Sequence, residues 1–78
     1  MIHPTIGRVV WVTRPGMSDQ KEAAFVAYVW TDRLINVGGV DRNGLPFSAT
    51  SVPLIQDDEP APAGVYAEWM PYQRAMAK

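Results

Sequence analysis

The run Ala23-Ala24-Phe25-Val26-Ala27-Tyr28-Val29-Trp30 carries no charge, and its only polar atoms are the tips of Tyr28 and Trp30. In an extended chain, successive side chains point to opposite faces. Phe25, Ala27 and Val29 then share one face, and Val26, Tyr28 and Trp30 the other. A strand that is apolar on both faces has to be covered twice, once by its own core and once by something else. A helix is the alternative, because Glu22, Ala23, Ala24 and Ala27 are good or fair helix formers. The density of valine and aromatic residues and the turn that follows favour the strand.

The chain of 78 residues is enough for one domain, taken here as residues 1–78. A domain of this size hides only about 60% of its unfolded surface, so its stability margin is thin. With no cysteine, neither a disulfide framework nor a thiolate zinc site makes up the deficit. A packed aromatic core remains, or burial against other copies of the chain. A hydrophobic share of 47%, with three tryptophans, suits both.

Around the central run, the sequence reads as short strands and turns. Ile6 to Val12 is β-branched or aromatic and forms a first strand, which Arg14-Pro15-Gly16 ends. Met17 to Glu22 is polar and reads as an exposed loop. After the central strand, Thr31-Asp32-Arg33 is a tight turn and Leu34 to Val40 the return strand. Gly38 and Gly39 mark a bend, a bulge or the close approach of another backbone. Asp41-Arg42-Asn43-Gly44 is the clearest turn, since Asn-Gly tolerates positive φ at both positions. Leu45 to Leu54 alternates Phe47, Ala49 and Ser51 with Ser48, Thr50 and Val52, and Pro46 and Pro53 suit an edge strand. Residues 55–64 are acidic and proline-rich and read as a solvated loop. Val65 to Trp69 is a fifth strand, and residues 73–78 are a tail, helical or frayed. The expected fold is mostly β: a single small five-stranded SH3-like barrel with a short C-terminal tail. Closing the sheet removes its unpaired edges.

The landmarks Gly7, Ala24-x-Val26, Asp32, Val37, Gly44 and Val52 resemble those of Tudor- and KOW-type small barrels. A second resemblance covers most of the chain. Pro4-Thr5-x-Gly7-Arg8-x-Val10-Trp11, the Ala-x-Val strand, Asn36-Val37 and Trp69-Met70-Pro71 look like a group of small proteins encoded by tailed phages and prophages. That resemblance implies a phage origin and a small barrel. Phage accessory proteins of this size include sponges that trap nucleotide signals of host defence, which brings that class into view.

The net charge of -1, from 7 basic and 8 acidic residues, argues against a general nucleic-acid coat. No apolar run approaches the ~20 residues that span a bilayer, and Met1 to Thr5 lacks the pattern of a signal peptide. The expected location is the cytosol of a bacterial host. Catalysis needs an activated nucleophile, an acid–base pair or a metal. His3 is the only histidine and reads as a bystander near the N-terminus. Asp57, Asp58 and Glu59 are adjacent and read as solvated, and Ser48, Thr50 and Ser51 have no histidine to activate them. We therefore expect no enzyme, no cofactor and no metal.

Binding is better supported. Arg8, Arg14, Arg33 and Arg42 offer planar donors suited to phosphates, and Trp11, Tyr28, Trp30, Trp69 and Tyr72 offer stacking surfaces. Asn36 is either a base reader or a polar residue satisfied by a neighbouring loop. Trp11 and Trp30 are assigned to the core or a subunit interface, and Trp69 and Tyr72 to partly exposed positions. The partners expected are further copies of the chain and a small phosphorylated or cyclic-nucleotide ligand. A protein-docking role in a phage particle and a nucleic-acid-binding barrel are the competing readings.

Overall fold

The computed structural model describes residues 1–15, 21–57 and 59–76. Five strands close into a barrel in chain order: β1 (Val9–Thr13), β2 (Glu22–Thr31), β3 (Leu34–Val40), β4 (Pro46–Ile55) and β5 (Tyr66–Glu68). A six-residue helix, α1 (Pro71–Met76), follows. Every neighbouring pair is antiparallel except β4 and β5, which run parallel over Leu54–Ala67 and Ile55–Glu68. Parallel neighbours cannot be joined by a tight turn, so the segment between Ile55 and Tyr66 crosses over to bring β5 back between β4 and β1.

The core is built from inward residues of every strand. Val10, Val12, Ala24, Val26, Ile35, Val37, Val52, Leu54 and Ala67 are buried, and Trp69 joins them from just beyond β5. The first strand is shorter than Ile6 to Val12: Gly7 adopts φ of +96°, a left-handed conformation that turns the chain before β1 begins. Glu22, expected in an exposed loop, is buried as the first residue of β2, where Arg14 holds it. Of the loop expected over Met17 to Glu22, Met17 to Gln20 lie outside the described residues, as does Gly16 of the preceding breaker.

Strict alternation fails in β2 for a local reason. Val26 pairs with Val37 and Tyr28 with Asn36, so Ala27 is an extra residue, a β-bulge. The bulge resets which residues point inward. Val26 is fully buried and Val29 packs against the core, while Phe25, Tyr28 and Trp30 are all exposed on the outer surface. A second irregularity lies between Val29 and Thr31, at Trp30. The expected split of the aromatics between two faces is thereby replaced by a single aromatic face.

A third bulge falls in β4, opposite Asn36. Ile35 pairs with Val52 but Val37 with Ala49, and Ser51 takes φ of +54°. The Asn36 carboxamide oxygen accepts the Ser51 N–H at 2.8 Å and the Trp30 Nε1–H at 3.0 Å. The Asn36 oxygen is thus already engaged by its neighbours. Pro46 and Pro53 lie within β4, which pairs with β3 along its length and with β5 only at its last two residues. Most of β4 therefore has the free side that proline needs.

The turns follow from their residues. Asp32 and Arg33 alone separate β2 from β3. At the β3–β4 turn, the Asp41 carboxylate accepts the N–H groups of Asn43 and Leu45, and the Gly44 N–H donates to the Asp41 carbonyl. Only Gly44 of the Asn43-Gly44 pair has positive φ, so the turn is not the double-positive type expected. Gly39 is required by close approach: a Cβ there would meet the Ala23 carbonyl oxygen at 2.3 Å and Ala24 Cα at 2.8 Å.

Gln56 lies in the segment expected to be a solvated loop, yet it is 1% exposed. Its amide nitrogen donates to the carbonyls of Ile2 and Asp32, at 2.9 and 2.8 Å. Its oxygen accepts the Ile2 N–H at 3.2 Å and the Trp69 Nε1–H at 3.1 Å. All four positions of the amide are used, which makes burial of this polar group tolerable. Trp69, expected partly exposed, is 2% exposed for the same reason: the indole fills the core and its single donor finds Gln56. The tail is helical through Met76. Pro71 starts α1, and the Gln73 side chain accepts the Met70 N–H at 2.8 Å while donating to the Val9 carbonyl at 3.0 Å.

Candidate functional site

The residues chosen from sequence do not converge on one site. Arg14 binds the Glu22 carboxylate through two hydrogen bonds, of 2.6 and 2.9 Å, and its guanidinium lies 4.0 Å from the centre of the Phe47 ring. The Arg14 guanidinium holds the Glu22 carboxyl below the usual carboxylate range, against the opposing effect of burial. The pair bonds the end of β1 to the start of β2. Arg33 binds Glu59 at 3.0 Å. The Gln56 backbone N–H, with Arg33 behind it, lowers the Glu59 pKa.

Arg8 is exposed and lies 5.1 Å from the centre of the Trp69 ring. Among the described residues it has no carboxylate partner. Trp11 is half-buried and carries Lys21 over its ring, and Lys21 also binds Glu68 at 2.7 Å. Tyr72 is exposed on α1. His3 contacts Asp32 at 2.9 Å. The positive charge of Arg14, Arg33 and Lys21 is thus spent within the chain, and none of the three stands ready for a phosphate.

The outer surface of β2 is different. Phe25, Tyr28 and Trp30 are 48%, 48% and 56% exposed. Tyr28 and Trp30 meet edge to face, with ring centres 4.8 Å apart at 72°. The Trp30 ring is held by its bond to Asn36. The Phe25 ring lies over Gly38, whose missing side chain makes room for it. Beside Phe25 is an open depression of about 440 Å³, lined by Val9, Ala23, Ala24, Phe25, Gly39, Val40 and Pro46. Not one of these residues is charged, and no charged residue lies between Ala23 and Thr31.

Sequence reasoning singled out the central run but missed the depression. The signal present was the small residues Ala23 and Ala24, with Ala24 set across from Gly39 in a register that only the folded sheet reveals. A scan against protein-family models finds no match, and searches of curated proteins and of solved structures return none. Among the described residues, no helix is long and apolar enough to cross a membrane.

Proposed function

We propose that this chain is a non-enzymatic binding protein that works as an assembly of identical copies joined over the outer face of β2. One observation carries the reading: Phe25, Tyr28 and Trp30, on a stretch of β2 without charge from Ala23 to Thr31, stand on the surface about half exposed. Exposed apolar patches rimmed by polar residues mark contact sites. A face without charge gives a charged partner nothing to recognise, whereas a second copy matches it in composition. Closed assemblies of like subunits are also the commonest kind.

A second reading adds a ligand. Arg8 on Trp69 and the exposed Tyr72 are open to solvent and have no carboxylate partner among the described residues, and they would let the assembly trap a small phosphorylated molecule such as a cyclic nucleotide. With the phage resemblance, this would be a sponge for a defence signal in the cytosol of a bacterial host. Arg14 and Arg33, already paired with carboxylates, weaken it.

Native mass spectrometry tests both. An assembly that retains an unchanged cyclic di- or trinucleotide supports the trapping form. An assembly that ignores the nucleotide panel supports docking between copies alone. A monomer at every concentration reached overturns the proposal.

A further inference from the structure

We infer that two copies pair about a two-fold axis lying over Ala27, each placing its Trp30 ring in the apolar depression beside Phe25 of the other. The inference rests on the self-association just proposed and specifies how it is made.

The argument begins with spacing along β2. The exposed ring, Trp30, lies three residues after Ala27, and Ala24, on the wall of the depression, lies three residues before it. A two-fold axis between two copies, lying over Ala27, parallel to the sheet and at right angles to β2, sets their strands antiparallel, face to face. The residue three beyond the axis in one copy then meets the residue three before it in the other. A projection and a recess placed symmetrically about one point on a surface make that surface complementary to itself, which an isologous contact requires. Ala27, at the axis, is exposed and small, so it lets the two sheets approach to the ~10 Å of ordinary sheet packing.

The chemistry agrees with the geometry. The one donor of the Trp30 indole is already bonded to Asn36, so the ring enters an apolar recess without leaving an unpaired N–H. Tyr28 braces the ring from the side. The absence of charge from Ala23 to Thr31 means that doubling the face brings no like charges together.

The exposed area suits a weak, reversible pairing. Aromatic side chains bury 150–250 Å² each, so three at about half exposure offer roughly 300 Å². Val9, Val40 and Pro46 around the recess extend the patch toward the ~800 Å² per partner of a standard interface.

The test compares the wild-type chain with Trp30→Ala, which removes the projection, and Ala23→Glu, which puts a charge in the recess. Ala23 and Trp30 are both exposed, so each variant should keep its fold, which far-ultraviolet circular dichroism and the thermal transition check. Association is read by sedimentation equilibrium, and native mass spectrometry distinguishes the variants when they are mixed. The expected result is a wild-type dimer whose Kd rises roughly 30-fold in each variant. An equimolar mixture should form a heterodimer tighter than either variant alone, because one Trp30 and one open recess survive. A wild-type dimer unaffected by either substitution, or a mixture no tighter than its parts, overturns this pairing and leaves self-association standing. A monomeric wild type overturns both.

Discussion

The Trp69 indole donates to the Gln56 side-chain oxygen at 3.1 Å, in an interior where both residues are almost wholly hidden from solvent. The same amide reaches Ile2 and Asp32, so one side chain ties the N-terminal segment, the β2–β3 turn and the end of β5 together. Gln56→Leu leaves those buried partners without hydrogen bonds. We expect a loss of about 3 kcal/mol or more, seen as a fall in Tm on the order of 15 °C. Gln56→Glu should cost a similar amount, because its second oxygen faces two carbonyls. A Gln56→Leu protein that melts within a few degrees of wild type would refute the role assigned to this residue.

The Arg14–Glu22 pair predicts an acid limb in the stability curve. The Glu22 pKa is lowered in the folded state, chiefly by its hydrogen bonds to Arg14. The stabilisation is therefore present above the unfolded value of about 4.3 and is lost as pH falls through the lower folded value. Glu59 is lowered too, mainly by the Gln56 N–H, and adds in the same direction. Glu22→Gln should cost about 1–2 kcal/mol at neutral pH and flatten, without abolishing, the decline toward pH 3. Urea unfolding at the two pH values reads the difference. Parallel wild-type and variant curves would show that Glu22 does not drive it.

The neighbouring glycines should respond very differently to alanine. At Gly39 the new methyl meets the backbone of Ala23 and Ala24, which cannot yield without shifting β2. At Gly38 it meets the tip of the Phe25 ring at 3.0 Å, and that ring can swing outward. Gly39→Ala is expected to cost about 3 kcal/mol, near the upper end for overpacking, and Gly38→Ala under about 1 kcal/mol. Equal losses in chemical denaturation would contradict the close approach of β3 to β2.

Asn36 gives a milder test. In Asn36→Ala, Ser51 and Trp30 lose their acceptor, but both lie near solvent and water can replace it. The expected loss is about 1 kcal/mol, with a more mobile Trp30 indole seen in fluorescence anisotropy. Asn36→Asp retains the acceptors and should stay close to wild type. An alanine variant with unchanged indole anisotropy would mean that Tyr28 alone fixes the ring.

Turns and strands were legible wherever a residue's own conformational preference decides the matter. Asn43-Gly44 announces its turn, Pro15 follows the end of β1, and the valines of β1 and β2 read as strand. Positions set by a partner strand were not legible. The bulge at Ala27 depends on the register with β3, and it alone puts Tyr28 and Phe25 on the same side. Gln56 stands beside an acidic run and has the composition of a solvated loop. Its burial comes from four groups spread from Ile2 to Trp69 in sequence, which no local pattern encodes. The pairing of Arg14 and Arg33 was not legible either, because their carboxylates, Glu22 and Glu59, lie 8 and 26 residues away.

β5 is only three residues long, is nearly the last element of the chain, and is the piece that joins β1 to β4. Until Tyr66 to Glu68 leave the ribosome, the earlier strands can form only an open sheet, with β1 exposed along one side and the end of β4 along the other. The nascent chain therefore passes through a stage at which it can pair edge to edge with other chains, and completing one short strand ends it.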